Sequence, residues 1–156
     1  MAANEGGPHV QLALFAEKFI RGAQSGALSV INIIDGVTVQ GPSLNEMPSF
    51  SLDQLMIFVN LWADKTKGRY TIKLRPQEPS GLYGDLIEIG PANFTATALG
   101  VDIARSMPPF EITEEGTTWF DVMLVAPGDE EGQILTRIPF NVTYQPTVTL
   151  QQPGTS

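Results

Sequence analysis

Residues 116–144 read GTTWFDVMLVAPGDEEGQILTRIPFNVTY, a run in which apolar and polar side chains alternate on both sides of a central turn. Every even position from Phe120 to Leu124 is apolar, and so is every even position from Ile134 to Tyr144 except Thr136. Successive side chains of a strand point to opposite faces, so this alternation predicts an antiparallel hairpin with one buried face.

The composition extends this prediction to the whole chain. Its 156 residues, 42% of them hydrophobic, suit one domain with a true core. Fifteen glycines and 12 prolines suit short strands joined by tight turns. We therefore expect a single antiparallel β-sandwich over residues 10–145, between a flexible leader at 1–9 and a C-terminal tail at 146–156.

About eight segments have the pattern of strands. Besides the two strands of the hairpin they are Val10–Ile20, Leu28–Val39, Leu55–Trp62, Tyr70–Leu74, Leu86–Ile89 and Phe94–Ile103. Two regions also allow a helix. Apolar residues over 12–20 fit the stripe of an amphipathic helix, and Ser51 to Gln54 matches a capping box ahead of the apolar segment that ends at residue 62. The alternative to the sandwich is thus an α+β fold with one or two short helices.

The strand sequences resemble those of immunoglobulin-like sandwiches, notably Gly68-Arg69-Tyr70-Thr71-Ile72-Lys73-Leu74 and Gly116-Thr117-Thr118-Trp119-Phe120-Asp121-Val122. The front segment, residues 15–36, is similar to the opening of an uncharacterised bacterial family of small β-sandwich proteins. The resemblance spans most of residues 10–144 and implies an immunoglobulin-like fold, but it brings no activity or site residues. Pro139 within a strand further requires an edge position or a bulge.

Charge and residue types exclude several classes of function. A net charge of −8 repels phosphate backbones, so nucleic acid is not an expected partner. The absence of cysteine removes thiolate chemistry and sulfur-ligated metals, and His9, the one histidine, falls in the expected leader. No segment resembles a secretory signal or a membrane span. We expect a cytoplasmic protein without a cofactor and without a membrane partner.

Carboxylates are the remaining candidates for chemistry. Glu17, Asp35 and Asp121 lie in or beside predicted strands, and a suitably spaced pair could hydrolyse glycosides. The acidic residues of the hairpin turn, Asp129, Glu130 and Glu131, are a weak candidate for a calcium loop because they lack alternating acidic spacing. Solvated strand faces and turns are the simpler explanation of these residues. For Asp35, which Gly36 follows, a bulge in the strand is the simpler explanation.

Three aromatic residues, Trp62, Tyr83 and Trp119, form the candidate binding site, as a possible platform for sugars or peptides. Burial in the core is their competing interpretation. The sequence is interpreted as a non-catalytic interaction or structural module that binds a protein partner, or itself, through sheet edges. The alternatives are a small-ligand or carbohydrate-binding domain and a carboxylate-based hydrolase.

Overall fold

The computed structural model describes residues 6–42, 46–97 and 99–147, and these residues form eleven β-strands and no helix. The strands are β1 (His9–Arg21), β2 (Leu28–Ile34), β3 (Gly36–Gly41), β4 (Phe50–Leu52), β5 (Met56–Trp62), β6 (Gly68–Gln77), β7 (Ile87–Phe94), β8 (Gly100–Ser106), β9 (Phe110–Ile112), β10 (Gly116–Val125) and β11 (Gln133–Pro146). The mostly β fold class is therefore confirmed. Within these residues nothing has the length and apolarity of a membrane-crossing helix.

Two sheets pack face to face to make the sandwich. In the described part of the chain, one sheet has four strands in the order β2-β1-β5-β8, the other has five in the order β3-β11-β10-β6-β7, and β4 pairs with β9 separately. The buried ring of Phe15 on β1 lies 5.1 Å from that of Phe120 on β10 and 6.0 Å from that of Phe140 on β11. These edge-to-face contacts join the sheets through aromatic side chains.

Both regions that allowed a helix are strands. Residues 12–20 lie within β1, where Ala13 and Phe15 face the core between the sheets while Leu14 and Ala16 pack in a second apolar cluster. Because apolar residues occupy both faces of β1, their spacing imitates a helical stripe. The residues predicted as a capping box, Ser51 to Gln54, instead include the end of β4 and the start of the connection to β5. In this connection Gln54 has a φ of 62°.

The described residues contain three strands more than the expected eight, because the predicted strand Leu28–Val39 is divided between the sheets and the short strands β4 and β9 were not predicted. Leu28–Val39 separates at Asp35 into β2 of the four-stranded sheet and β3 of the five-stranded sheet, so Asp35 marks a crossing and not a bulge. Gly36 makes this crossing possible, since a Cβ there would lie 2.5 Å from the carbonyl oxygen of Asn141. The predicted strand Phe94–Ile103 adds none, because Phe94 is the last residue of β7, which overlaps the predicted Leu86–Ile89, and the strand part that follows begins β8 at Gly100.

The hairpin of β10 and β11 is confirmed, with Phe120 paired with Ile138. β11 is buried on one face, as predicted, but β10 is buried on both faces from Phe120 to Val125. The half-buried prediction is wrong for β10 because this strand lies in the middle of its sheet, where β6 and β11 supply side chains that cover its outer face.

β11 pairs with β3 in parallel, so the sandwich is not wholly antiparallel. Pairing with β3 begins at Asn141, whose backbone N–H donates to the carbonyl of Asp35. Backbone nitrogens two residues apart on a strand point to the same side, so the nitrogen of Pro139, like that of Asn141, points toward the side of β3. The pairing with β3 starts only at Asn141, two residues after Pro139. Pro139 is thus at a local edge, one of the two positions that its missing N–H requires.

The start of the sandwich lies earlier than expected. His9 is the first residue of β1, and its Nε2 lies 2.9 Å from Oδ2 of Asp64. Pro8 is buried, and the carbonyl of Gly6 accepts a hydrogen bond from the N–H of Lys65. Residues 6–9 therefore pack against the turn after β5 and do not form a detached leader, whereas residues 1–5 and 148–156 lie outside the described residues.

Candidate functional site

Three charged side chains stand in one row across the outer face of the five-stranded sheet. Asp121 on β10 is paired directly with Arg75 on β6 and with Arg137 on β11. The neighbours Phe120 and Leu74 face the core, so period-two alternation turns this row outward. Strand register therefore places one carboxylate between two guanidinium groups.

Both oxygens of Asp121 accept hydrogen bonds from these arginines. Arg75 donates from Nε and Nη2 to Oδ2, at 3.2 and 2.9 Å, and Arg137 donates from Nε to Oδ1 at 2.8 Å. The Nη2 of Arg137 also donates to Oε1 of Gln77, at 2.6 Å. The side chain of Asp121 is only 2% exposed. A carboxylate this enclosed and this fully bonded acts as a structural anchor that fixes both guanidinium planes.

Each anchored arginine also lies over an aromatic ring. The guanidinium carbon of Arg75 is 4.2 Å from the ring centre of Tyr83, and that of Arg137 is 4.8 Å from the ring centre of Trp119, both within cation–π range. Tyr83 remains 53% exposed and Trp119 36% exposed. We call Arg75, Gln77, Tyr83, Trp119, Asp121 and Arg137 the aromatic–arginine cluster.

The loop after β6 brings Tyr83 into this cluster. Backbone hydrogen bonds of 2.8 Å run from Gly84 N–H to the Pro76 carbonyl and from Glu78 N–H to the Leu82 carbonyl. An isolated bridge also pairs Gln77 with Tyr83. The loop therefore doubles back beside the end of β6 and carries the Tyr83 ring to the guanidinium group of Arg75.

The three aromatic residues of the predicted site separate into two locations. Tyr83 and Trp119 share the aromatic–arginine cluster, whereas Trp62 ends β5 in the other sheet, where it is 41% exposed and pairs with His9 and Gly100. None of the three is buried in the core. The two arginines beside Tyr83 and Trp119 were not predicted from the sequence. The one signal for them is that Arg75 and Arg137 both occupy polar positions in strands where polar and apolar residues alternate.

The candidate acids do not form an evident pair. Asp121 is anchored as described, Asp35 is at the crossing from β2 to β3, and Glu17 on β1 accepts a 2.6 Å hydrogen bond from Nδ2 of Asn32. Asp129, Glu130 and Glu131 are exposed in the turn between β10 and β11. Among residues 6–42, 46–97 and 99–147, no three acidic or histidine side chains gather in a way that could hold a metal ion.

A shallow depression of about 510 Å³ adjoins the cluster on the same face. Its polar lining consists of Asp35, Thr38, Thr117, Asn141 and Thr143. It also includes Pro139, the direct partner of Trp119 in the β10–β11 register. The exposed indole of Trp119 thus lies at the border of an open hollow with polar and apolar lining.

No protein-family model matches this chain, and a search of curated proteins finds no significant relative.

Proposed function

We propose that this protein is a non-catalytic interaction module that binds a protein partner through the outer face of its five-stranded sheet. The observation that carries the proposal is the aromatic–arginine cluster, in which one buried carboxylate anchors two arginines and each arginine lies over a partly exposed aromatic ring. Anchored side chains lose little conformational entropy when a partner binds, which favours affinity.

The residue types of the cluster support contact with a protein. Tryptophan, tyrosine and arginine are the side chains that most often dominate the binding energy of protein interfaces. Two arginines share one aspartate here, so the three charges sum to +1 within a chain of net charge −8. A positive, aromatic area on an otherwise acidic protein favours an orientation in which this face meets the partner.

Two tryptophans of similar exposure on different sheets provide a matched test. Trp119→Ala removes a ring of the cluster, and Trp62→Ala removes a ring from the four-stranded sheet. For a partner captured from native lysate and then purified, we expect Trp119→Ala to raise the Kd about thirtyfold, the loss typical of an interface hot spot. Trp62→Ala should change the Kd less than about twofold, within ordinary surface effects. Isothermal titration calorimetry measures both.

Tyr83→Ala is the second variant, because Tyr83 belongs to the same cluster but to a different loop. It should weaken binding as well. A partner that loses affinity with Trp62→Ala and keeps it with Trp119→Ala and Tyr83→Ala would contradict the proposal. Thermal melts of all three variants distinguish lost binding from lost folding.

A second candidate function is recognition of a small polar ligand such as a carbohydrate, favoured by the depression beside Trp119. Hydroxyl, amide and carboxylate groups line it, and an indole at its border offers an apolar face on which a sugar ring could stack. The test is an oligosaccharide array followed by titration of any hit. Asn141→Ala should abolish a sugar interaction while leaving a protein partner bound at the cluster.

A further inference from the structure

The edge strands of the sandwich differ in how far they are protected against pairing with another chain. In the described part of the chain the edges are β2 and β8 in one sheet and β3 and β7 in the other. β2 contains Asn32 in a left-handed conformation, with a φ of 54°, and β7 contains Pro91. β8 carries the charged residues Asp102 and Arg105. Kinks, prolines and charges are the usual devices that prevent pairing at an edge.

β3 has none of these devices. It runs from Gly36 to Gly41 without a proline, a charged residue or a positive φ angle. Val37, Thr38 and Val39 at its centre are β-branched residues that favour extended backbone. β3 is therefore a regular, uncharged edge strand.

Hydrogen-bond direction shows which backbone groups of β3 are left for a new neighbour. The carbonyl of Asp35 accepts from Asn141 N–H at 2.9 Å, and that of Gly41 accepts from Thr147 N–H at 2.8 Å. A parallel ladder uses alternate residues of each strand, so the odd-numbered residues of β3 bond to β11. Gly36, Thr38 and Gln40 direct their N–H and C=O groups away from it, and no backbone partner for them is found among the described residues.

We propose that β3 pairs with β3 of a second copy of this chain, antiparallel about a twofold axis at Thr38. In this register Thr38 pairs with Thr38 of the second copy, and Gly36 pairs with Gln40 of that copy. The backbone N–H and C=O groups of Gly36, Thr38 and Gln40 then bond to the same groups of the second copy, which gives roughly six backbone hydrogen bonds. The two five-stranded sheets become one continuous sheet.

The absence of charged residues along β3 removes the main obstacle to a second copy as the occupant. Two chains of net charge −8 repel each other, so they can pair only where the contact itself is neutral. The charged residue next to β3, Asp35, falls opposite Gly41 of the second copy. The two Asp35 residues are then ~20 Å apart along the seam at about 3.4 Å per residue. That separation exceeds the Debye length of about 8 Å at physiological salt.

Side chains are also compatible with this pairing. Thr38 would form a cross-strand pair with its own copy, a favourable combination on a sheet face. Val37 and Val39 pack against the core of the sandwich and would be opposite each other across the seam, which extends the apolar layer. The twofold axis passes through the Thr38 pair and makes the Val37–Val39 contact twice, as expected for a homodimer.

Amide hydrogen exchange combined with sedimentation tests the pairing in the unmodified protein. We expect a dimer of twice 16.9 kDa. The amides of Thr38 and Gln40 should become protected as protein concentration rises, while those of Val37 and Val39, which bond to β11, should be protected at every concentration. If the protein remained monomeric at concentrations up to about 1 mM, a weak Kd for association, the proposal would be overturned. A dimer in which the Thr38 amide stays unprotected would also overturn it.

Thr38→Lys and Thr143→Lys form a matched pair of variants, because Thr38 on β3 is the direct neighbour of Thr143 on β11. Thr38→Lys places two lysines opposite each other at the seam and should weaken the dimer at least about tenfold, since like charges directly opposite are destabilising. Thr143→Lys, one strand further in, should leave it unchanged. Equal weakening by both variants would assign the contact to the sheet face and refute pairing at the edge. Trp119→Ala should not alter the dimer, which separates this test from that of the aromatic–arginine cluster.

Discussion

At the scale of single residues, Asp121 has the environment that matters most for the proposed binding face. It is an ionisable side chain in the middle of a sheet, almost fully enclosed, with three hydrogen bonds from two arginines. Burial of a charge is unfavourable unless it is paired and hydrogen-bonded, and here both conditions hold. The same bonds hold the arginines against the rings of Tyr83 and Trp119, so one residue links stability to the shape of the proposed binding face.

Asp121→Asn is expected to lower the free energy of unfolding by roughly 3 kcal/mol, because it leaves two guanidinium groups without their carboxylate. The amide also turns an N–H₂ donor toward one arginine donor. Urea denaturation measures the loss.

Asp102→Asn is the control for this prediction. Asp102 lies 3.8 Å from Arg21 in a pair that is largely exposed, and such pairs contribute about 0–1 kcal/mol. Similar losses from Asp121→Asn and Asp102→Asn would mean that the buried anchor does not have the stabilising role derived for it.

At the scale of elements, the hairpin of β10 and β11 joins the core to the proposed binding face. Phe140 on the inner face of β11 packs against Phe15 of the opposite sheet, whereas Thr143 on the outer face is exposed beside the depression. Both β10 and β11 have a neighbouring strand on each side, but the outer face of β10 at Asp121 is covered by the long side chains of Arg75 and Arg137. The side chains that neighbouring strands place over the outer face therefore govern whether one face of a strand or both are buried.

Phe140→Ala should destabilise the protein by roughly 3–5 kcal/mol, the range for truncating a buried phenylalanine. Thr143→Ala should be nearly neutral, since its side chain leaves no cavity. Chemical denaturation of the two variants side by side measures this contrast. Equal effects would be incompatible with the register in which Phe140 pairs with Thr118 and faces inward.

At the scale of the whole molecule, chain segments pass from one sheet to the other on both sides of the sandwich. The crossing at Asp35 links β2 to β3, and the segment after Phe94 links β7 to β8. On the second side Arg105 of β8 lies against Gly90 of β7, where a Cβ would be 3.0 Å from the guanidinium carbon. The side bearing β3 keeps a regular strand edge.

Far-UV circular dichroism should be dominated by the signal of β-strand. The reason is that the described residues are strands and turns without helix, and both helix-like patterns of the sequence lie in strands. A helix content above about a third, the ordinary globular share, would contradict the sandwich.

The sequence by itself determined the mostly β class, the final hairpin and most of the strands, because period-two alternation is a local property that a linear pattern records. It also identified Tyr83 and Trp119 as binding candidates. It could not distinguish strand from helix in 12–20 or 51–62, since residues buried on both faces lose the alternation that separates the two periods.

Only the tertiary structure decided which residues share a site. The three residues Arg75, Asp121 and Arg137 are far apart in the chain and come together because β6, β10 and β11 align in one register. This register depends on pairing between strands, so the sequence of a single strand does not reveal it. The same holds for Asp35, where a change of sheet resembles a bulge in the sequence. The local side-chain pattern determines which segments are strands, whereas hydrogen bonding between distant segments determines the order of the strands. Because of that order, the anchored arginines, the aromatic rings beside them and the free edge of β3 all belong to one sheet.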